Sequence, residues 1–159
     1  MYHRIGKGGR AYWGKAGAGI LYTDGESVLL LRRGKDSADH KGKWCLPGGA
    51  SEGDETPIDT ARRESLEEIG YFAGHRIGRF EERDGHHLFT VFVVRLNEPF
   101  IPMLDETEHD DFAWVPLDQT EKVPLIPPLE KAFPHYRRYI RAKITGRFQE
   151  WLAWQESRI

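Results

Sequence analysis

Three glutamates, Glu64, Glu67 and Glu68, sit within five residues of one another in a stretch that reads as a helix over 56–69. At about 100° per residue they share one helical face, with Glu64 and Glu68 one turn apart. Like charges at that spacing cost a helix roughly 0.2–0.5 kcal/mol per pair, so something must offset the repulsion. A hard divalent cation would do so. Mg²⁺ takes carboxylate oxygens and keeps waters that a phosphate substrate can replace. On the helix alone the plainer reading is a solvated acidic face with Arg62 and Arg63 as local partners.

The helix has start and stop signals. Pro57 fits the first turn, where its missing N–H is no loss, and Gly70 is a C-terminal stop. Ile58, Ala61, Ser65 and Leu66 are expected to face a core. Ahead of it, 16–22 and 27–31 are short apolar runs separated by a turn at 23–26, which reads as a hairpin. Residues 32–43 read as a polar loop ending in Trp44-Cys45-Leu46 before Pro47-Gly48-Gly49. Strands are expected at 76–82, 87–96 and 112–115, and a helical segment over 129–157, interrupted near Pro134 and weakened at Gly146. Strands and helices mix without regular βαβ alternation, which predicts an α/β (α+β) sandwich around a mixed β-sheet.

The chain of 159 residues fits one domain, with 1–15 as a glycine-bearing lead and 127–159 as an extended C-terminal helical segment. A formal charge of −2 lacks the basic excess of a protein that coats nucleic acid, so no stable nucleic-acid complex is expected. No apolar run approaches the roughly 20 residues that span a bilayer, and 1–10 lacks an apolar signal region. Cys45 is the only cysteine, so a multi-cysteine zinc site is excluded; a cytoplasmic location is expected.

The wider pattern changes the weight of the acidic helix. It runs Gly49, five residues, Glu55, seven residues, Arg63-Glu64, two residues, Glu67-Glu68, one residue, Gly70. This resembles the box of the Nudix hydrolases, G-x5-E-x7-R-E-U-x-E-E-x-G-U with U apolar. All the fixed residues stand at matching spacing. Trp44-Cys45-Leu46-Pro47-Gly48-Gly49 is similar to the usual lead into the box, and the inferred strand order extends the resemblance over about 16–118. Ser65 departs from it at an apolar position, which predicts slightly weaker helix packing, and Tyr71 fills the second.

The resemblance implies a Nudix-type α/β/α sandwich and a loop–helix–loop that holds Mg²⁺ or Mn²⁺ against a pyrophosphate. By residue, it implies metal contact from Glu64, Glu68 and the Gly49 carbonyl, with Glu67 binding directly or through water and Glu52 near a second ion. Glu67, Glu108 and Arg63 form the implied catalytic set. Arg63 acts in it by pairing with Glu55 to brace the loop. Glu108, six residues before Trp114, occupies the place of a general base in some members, with Glu106 as the lesser choice; a solvated acidic loop is the alternative. Arg32 and Arg33 are expected to contact substrate phosphates, a task suited to a forked cation, or to be surface charge.

Other signals are weaker. Gly9 to Ala16 nearly spells a Walker A loop but lacks the Ser or Thr after Lys15 and precedes a strand. His86 and His87 are adjacent, so in a strand they point to opposite faces. Cys45, flanked by apolar residues, reads as packing. Tyr136, Tyr139, Ile140, Lys143, Ile144, Phe148, Trp151 and Leu152 are spaced for one helical face that closes the sandwich or forms a homodimer surface.

The expected activity is metal-dependent cleavage of a pyrophosphate bond in a nucleoside diphosphate derivative, with a MutT-like (d)NTP pyrophosphohydrolase foremost. An ADP-ribose, sugar-nucleotide or dinucleoside polyphosphate substrate is the alternative. A non-catalytic nucleotide-binding module or an isoprenoid diphosphate isomerase using Cys45 stand further off.

Overall fold

The protein is described from a computed structural model covering residues 15–144, with 3–4, 11–12, 153, 156 and 157 besides. Its centre is β3 (Lys15–Thr23), which is buried from Gly17 onward. β8 (His87–Arg95) runs parallel to it, in register from Lys15 opposite His87 to Thr23 opposite Arg95. On the other side of β3 lie β6 (Gly48–Ala50) and, past the turn, β4 (Ser27–Arg33), both antiparallel. β4 carries β5 (Trp44–Cys45) and β9 (His109–Pro116), and β7 (His75–Asp84) closes the far edge against β8. The result is a seven-stranded mixed sheet. The β3–β4 turn is fixed by Asp24, whose Oδ1 accepts hydrogen bonds from the Glu26 and Ser27 amides at 2.9 and 2.7 Å.

Alternation along the strands divides the core. Ile20, Tyr22, Leu29, Leu31, Cys45 and Phe92 face one helix, α1 (Pro57–Ile69), through Ala61 and Ile69. Leu21, Val28, Leu30, Val91 and Val93 face the other, α2 (Pro127–Ile144), through Leu129, Phe133, Tyr136 and Ile140. Each such large apolar side chain stabilises the fold by about 1.5–3 kcal/mol. A 3-10 helix, Leu117–Lys122, links β9 to α2. β1 (His3–Arg4) and β2 (Ala11–Tyr12) form a separate antiparallel pair within the expected lead.

α1 starts at Thr56, whose side chain accepts a hydrogen bond from the Asp59 amide, with Pro57 in the first turn. It ends at Gly70, left-handed at φ 64°, whose N–H reaches the Leu66 carbonyl. Its inward arc is Thr60, Ala61, Ser65, Glu68 and Ile69. Leu66 was expected inside and is 50% exposed, because the arc is centred on Ser65 and Glu68 instead. Ser65 does not weaken the packing as an unsatisfied hydroxyl would. It is fully buried, 2.7 Å from the Tyr22 hydroxyl, and it donates to the Tyr71 carbonyl.

Three further expectations are corrected. Arg32 and Arg33 belong to β4, not to the following loop, because β9 pairs with the strand to its end. Pro134 lies inside an unbroken α2: it faces solvent while Phe133 and Tyr136 anchor the helix on both sides. Lys143 is exposed, off the buried face formed by Tyr136 and Ile140. Gly146, Phe148, Trp151 and Leu152 lie outside the described residues. Of the Walker-like stretch, Lys15 and Ala16 open β3, where no helix follows; Gly9, Arg10, Trp13 and Gly14 are outside the described residues.

Candidate active site

β6 and the last turns of α1 bring backbone and carboxylates together. Gly49 passes so close to Glu64 that a Cβ there would stand 2.7 Å from the carboxyl carbon. Glu68, 5% exposed, accepts a hydrogen bond from the Gly48 amide at 2.9 Å through Oε1. Its Oε2 is buried without a hydrogen-bond partner. Burial first, then the close approach and charge of the Glu64 carboxylate and the charge of Glu108, outweigh the Gly48 amide and hold the Glu68 carboxyl well above the usual carboxylate range. Glu67 and Glu68 also lie at the C-terminal end of α1, where the helix dipole disfavours negative charge.

Arg63 is the local cation, and it is committed to the loop. Its Nε donates to Glu55 Oε2 at 2.9 Å and its Nη2 to Glu55 Oε1 at 3.1 Å and the Ala50 carbonyl at 3.0 Å. Its Nη1 reaches Glu64 at 2.9 Å and Glu67 at 3.3 Å, with Glu52 3.6 Å away. The hydrogen bond from Arg63 lowers the Glu55 carboxyl to about 2, against a smaller opposing effect of burial. Glu55 Oε1 also accepts from the Glu52 amide at 2.8 Å, tying the loop to the helix that follows.

The segment before β9 folds back onto α1. The Asp105 and Met103 amides donate to the Glu68 and Ile69 carbonyls at 2.9 Å each. The Glu108 carbonyl accepts from the Gly34 amide and the Ser37 hydroxyl at 2.8 and 2.7 Å. Ligand atoms of Glu68, Glu108 and His109 thereby lie within 4.8 Å of one another. Glu106 is exposed in the adjacent turn.

His109 escaped the sequence reading. It is 1% exposed, with Nε2 3.5 Å from the Cys45 sulfur and Nδ1 without a hydrogen-bond partner. Burial, with the nearby Arg33 charge, lowers its pKa to about 4, so it is neutral at physiological pH. The signal that points it inward is the pairing of His109 with Arg33 across β4 and β9, which spacing along the chain does not reveal. Burial pushes the Cys45 thiol up to about 12, with the Glu68 charge adding to it, so Cys45 is packing and not a nucleophile.

Arg32 pairs with Asp110 at 2.7 Å and stacks near Trp44, while Arg33 holds Asp39 at 3.0 Å. Both arginines are thus engaged at the rim of the cluster. The donor set fits a divalent cation: carboxylates crowded together, one of them buried with an oxygen lacking a partner, answer to an added positive charge.

Comparison with known proteins shows the family. A model of the NUDIX domain matches residues 14–141. The chain belongs to the Nudix family. It is 31% identical over 150 residues to a putative 8-oxo-dGTP diphosphatase of Mycobacterium tuberculosis, spanning 84% of this chain and 67% of that protein. Among solved structures, a Nudix hydrolase from M. smegmatis superposes with a TM-score of 0.67 at 25% identity, covering 85% of this chain and 91% of the other. A MutT Nudix hydrolase from Burkholderia pseudomallei shares the fold, with a TM-score of 0.60 at 22% identity over 76% and 96% of the two chains. The protein is a Nudix-type pyrophosphohydrolase, of a family that generally depends on divalent metal. No helix among the described residues is long and apolar enough to cross a membrane.

Proposed function

We propose that this Nudix hydrolase is a MutT-like (d)NTP pyrophosphohydrolase that releases a nucleoside monophosphate and pyrophosphate. The carrying observation is the convergence of Glu108 on the buried Glu68 beside Glu64 and Gly49. The resemblance to a putative 8-oxo-dGTP diphosphatase supports a nucleoside triphosphate as substrate.

Glu64, Glu68 and the Gly49 carbonyl would hold Mg²⁺ or Mn²⁺, with Glu67 adding an oxygen from the exposed side. When bound, the divalent ion screens phosphate charge and acidifies water. Arg63 keeps Glu64 facing Gly49 and fixes the loop through Glu55. Glu108, exposed at the mouth of the cluster, takes the proton from attacking water, a step in which a positioned base contributes roughly 10²–10⁴-fold. Arg32 and Arg33 guide the phosphate chain by exchanging their aspartate partners for phosphoryl oxygens.

The test is hydrolysis over a panel of dNTPs, 8-oxo-dGTP, ADP-ribose and a dinucleoside polyphosphate with Mg²⁺, read by product identity. Monophosphate and pyrophosphate from a triphosphate, lost in Glu68→Gln, are expected. Turnover confined to ADP-ribose or the dinucleotide would move the substrate. Binding of nucleotide without turnover, equal in both proteins, would overturn the enzymatic reading.

A further inference from the structure

We infer that His109 is an imidazole ligand beside the box, adding a nitrogen donor to the cation held through Glu68, while Glu108 of the same group stays free to act as base. The inference rests on the proposed cation site and adds one residue, and a consequence, to it.

Two buried side-chain atoms among the described residues lack a hydrogen-bond partner, Glu68 Oε2 and His109 Nδ1. Both residues belong to one group with Glu108, in which a ring nitrogen of His109 and a carboxylate oxygen of Glu68 lie within 4.8 Å of each other. Buried polar atoms are nearly always paired, so two orphans in one cluster mark a place shaped for something to accept their lone pairs. Ligands on one ion at bonds of about 2.0–2.2 Å stand roughly 3–3.5 Å apart, so from a spread within 4.8 Å the group must close by up to about 1–2 Å, a movement within reach of side-chain rotation.

The backbone around the group is fixed while its donors are free. β9 starts at His109 and pairs with Arg33 of β4, and the Glu108 carbonyl is held by Gly34 and Ser37. Glu68 is held by the Gly48 amide through its other oxygen. Such a site is preorganised for an ion. An imidazole donor favours the first-row transition ions over Mg²⁺, which prefers oxygen and keeps its waters. His109 therefore tilts the protein toward Mn²⁺ or Co²⁺, whereas the box carboxylates alone would leave Mg²⁺ fully competitive.

The probe is Mn²⁺ alone, added to the full chain without nucleotide. Spin-echo modulation of the bound ion is expected to carry nitrogen coupling, which labelling of histidine with the heavier nitrogen isotope shifts and His109→Gln abolishes. Mn²⁺ affinity should fall about tenfold or more in His109→Gln, since even outer-shell partners are worth 10–100-fold. Mg²⁺ affinity should fall less. Bound Mn²⁺ without histidine nitrogen coupling overturns the His109 assignment and leaves the carboxylate site standing. Failure of Mn²⁺ to bind the wild type overturns both. If His109→Gln does not fold, His109→Asn supplies the same comparison, because labelling alone marks all seven histidines.

Discussion

The hydroxyls of Tyr22 and Ser65 meet at 2.7 Å beneath the helix that carries the carboxylates. Both side chains are fully buried, and burial lifts the Tyr22 phenol above its ordinary pKa, against a smaller opposing effect of the Ser65 hydrogen bond. A polar pair stands here where the Nudix pattern has an apolar residue on α1. It is satisfied because Ser65 donates to the Tyr71 carbonyl and so accepts from the Tyr22 hydroxyl.

This pair predicts a coupled energy. Tyr22→Phe and Ser65→Ala should each cost about 0.5–1.5 kcal/mol, the net worth of a hydrogen bond. The double variant should cost less than their sum, because neither hydroxyl is then left without its partner. Urea unfolding of the four proteins measures the coupling. Strict additivity would show that the hydroxyls do not depend on each other.

Gly49→Ala separates the site from the fold. The new methyl would meet the Glu64 carboxyl group, the far end of a side chain that can rotate away. Stability should change by less than about 1 kcal/mol, while displacement of one carboxylate costs activity about 10²-fold. Thermal melting and kcat/KM together test this; an active Gly49→Ala protein would remove Glu64 from the chemistry.

Glu68→Gln should melt higher than the wild type in chelator near neutrality, because the wild-type carboxyl, its pKa raised by burial and by neighbouring carboxylates, must take up a proton to fold, a cost that the amide does not carry. Saturating Mn²⁺ should reverse the order. A ligand at 100 times its Kd stabilises by about 2.7 kcal/mol, a gain that the variant forgoes. Calorimetry with and without the ion reads both signs. A variant that remains the less stable protein in chelator would contradict the electrostatic account.

The Arg63–Glu55 brace predicts an acid dependence. Glu55 titrates at about 2 in the folded protein, below its ordinary 4.5, so the pairing stabilises fully above that ordinary value. The contribution fades as pH falls through the window between the two. Glu55→Gln should therefore be less stable than wild type near neutrality, by about 1.5–3 kcal/mol for loss of charge-assisted hydrogen bonds. The gap should close toward pH 2. A gap that is constant with pH would assign the stabilisation to something other than ionic pairing.

The local parts of this architecture are written plainly in the chain. Pro57, Thr56 and Gly70 bound α1 through interactions within one turn, and the box spacing lies within a 22-residue span from Gly49 to Gly70. What was lost depends on distant partners. Leu66 was turned inward because apolar residues normally fill the inner arc, yet Glu68 occupies it, held by a backbone amide twenty residues back. Arg33 joined a strand, and His109 turned inside, through the same β4–β9 register. Pro134 survives in α2 because the buried neighbours on either side outweigh one missing hydrogen bond.

The parallel ladder between β3 and β8 has a kinetic consequence. Lys15 sits opposite His87, so the whole acid-bearing segment is a long excursion between two strands that must find each other across it. Closing such an excursion is slow and comes before the reward of contact. We expect the acidic cluster, which draws Glu108 and His109 from beyond β8, to be completed only after that encounter. Added Mn²⁺ should lengthen the lifetime of the native chain while leaving the refolding rate untouched, as stopped-flow traces in both directions would show.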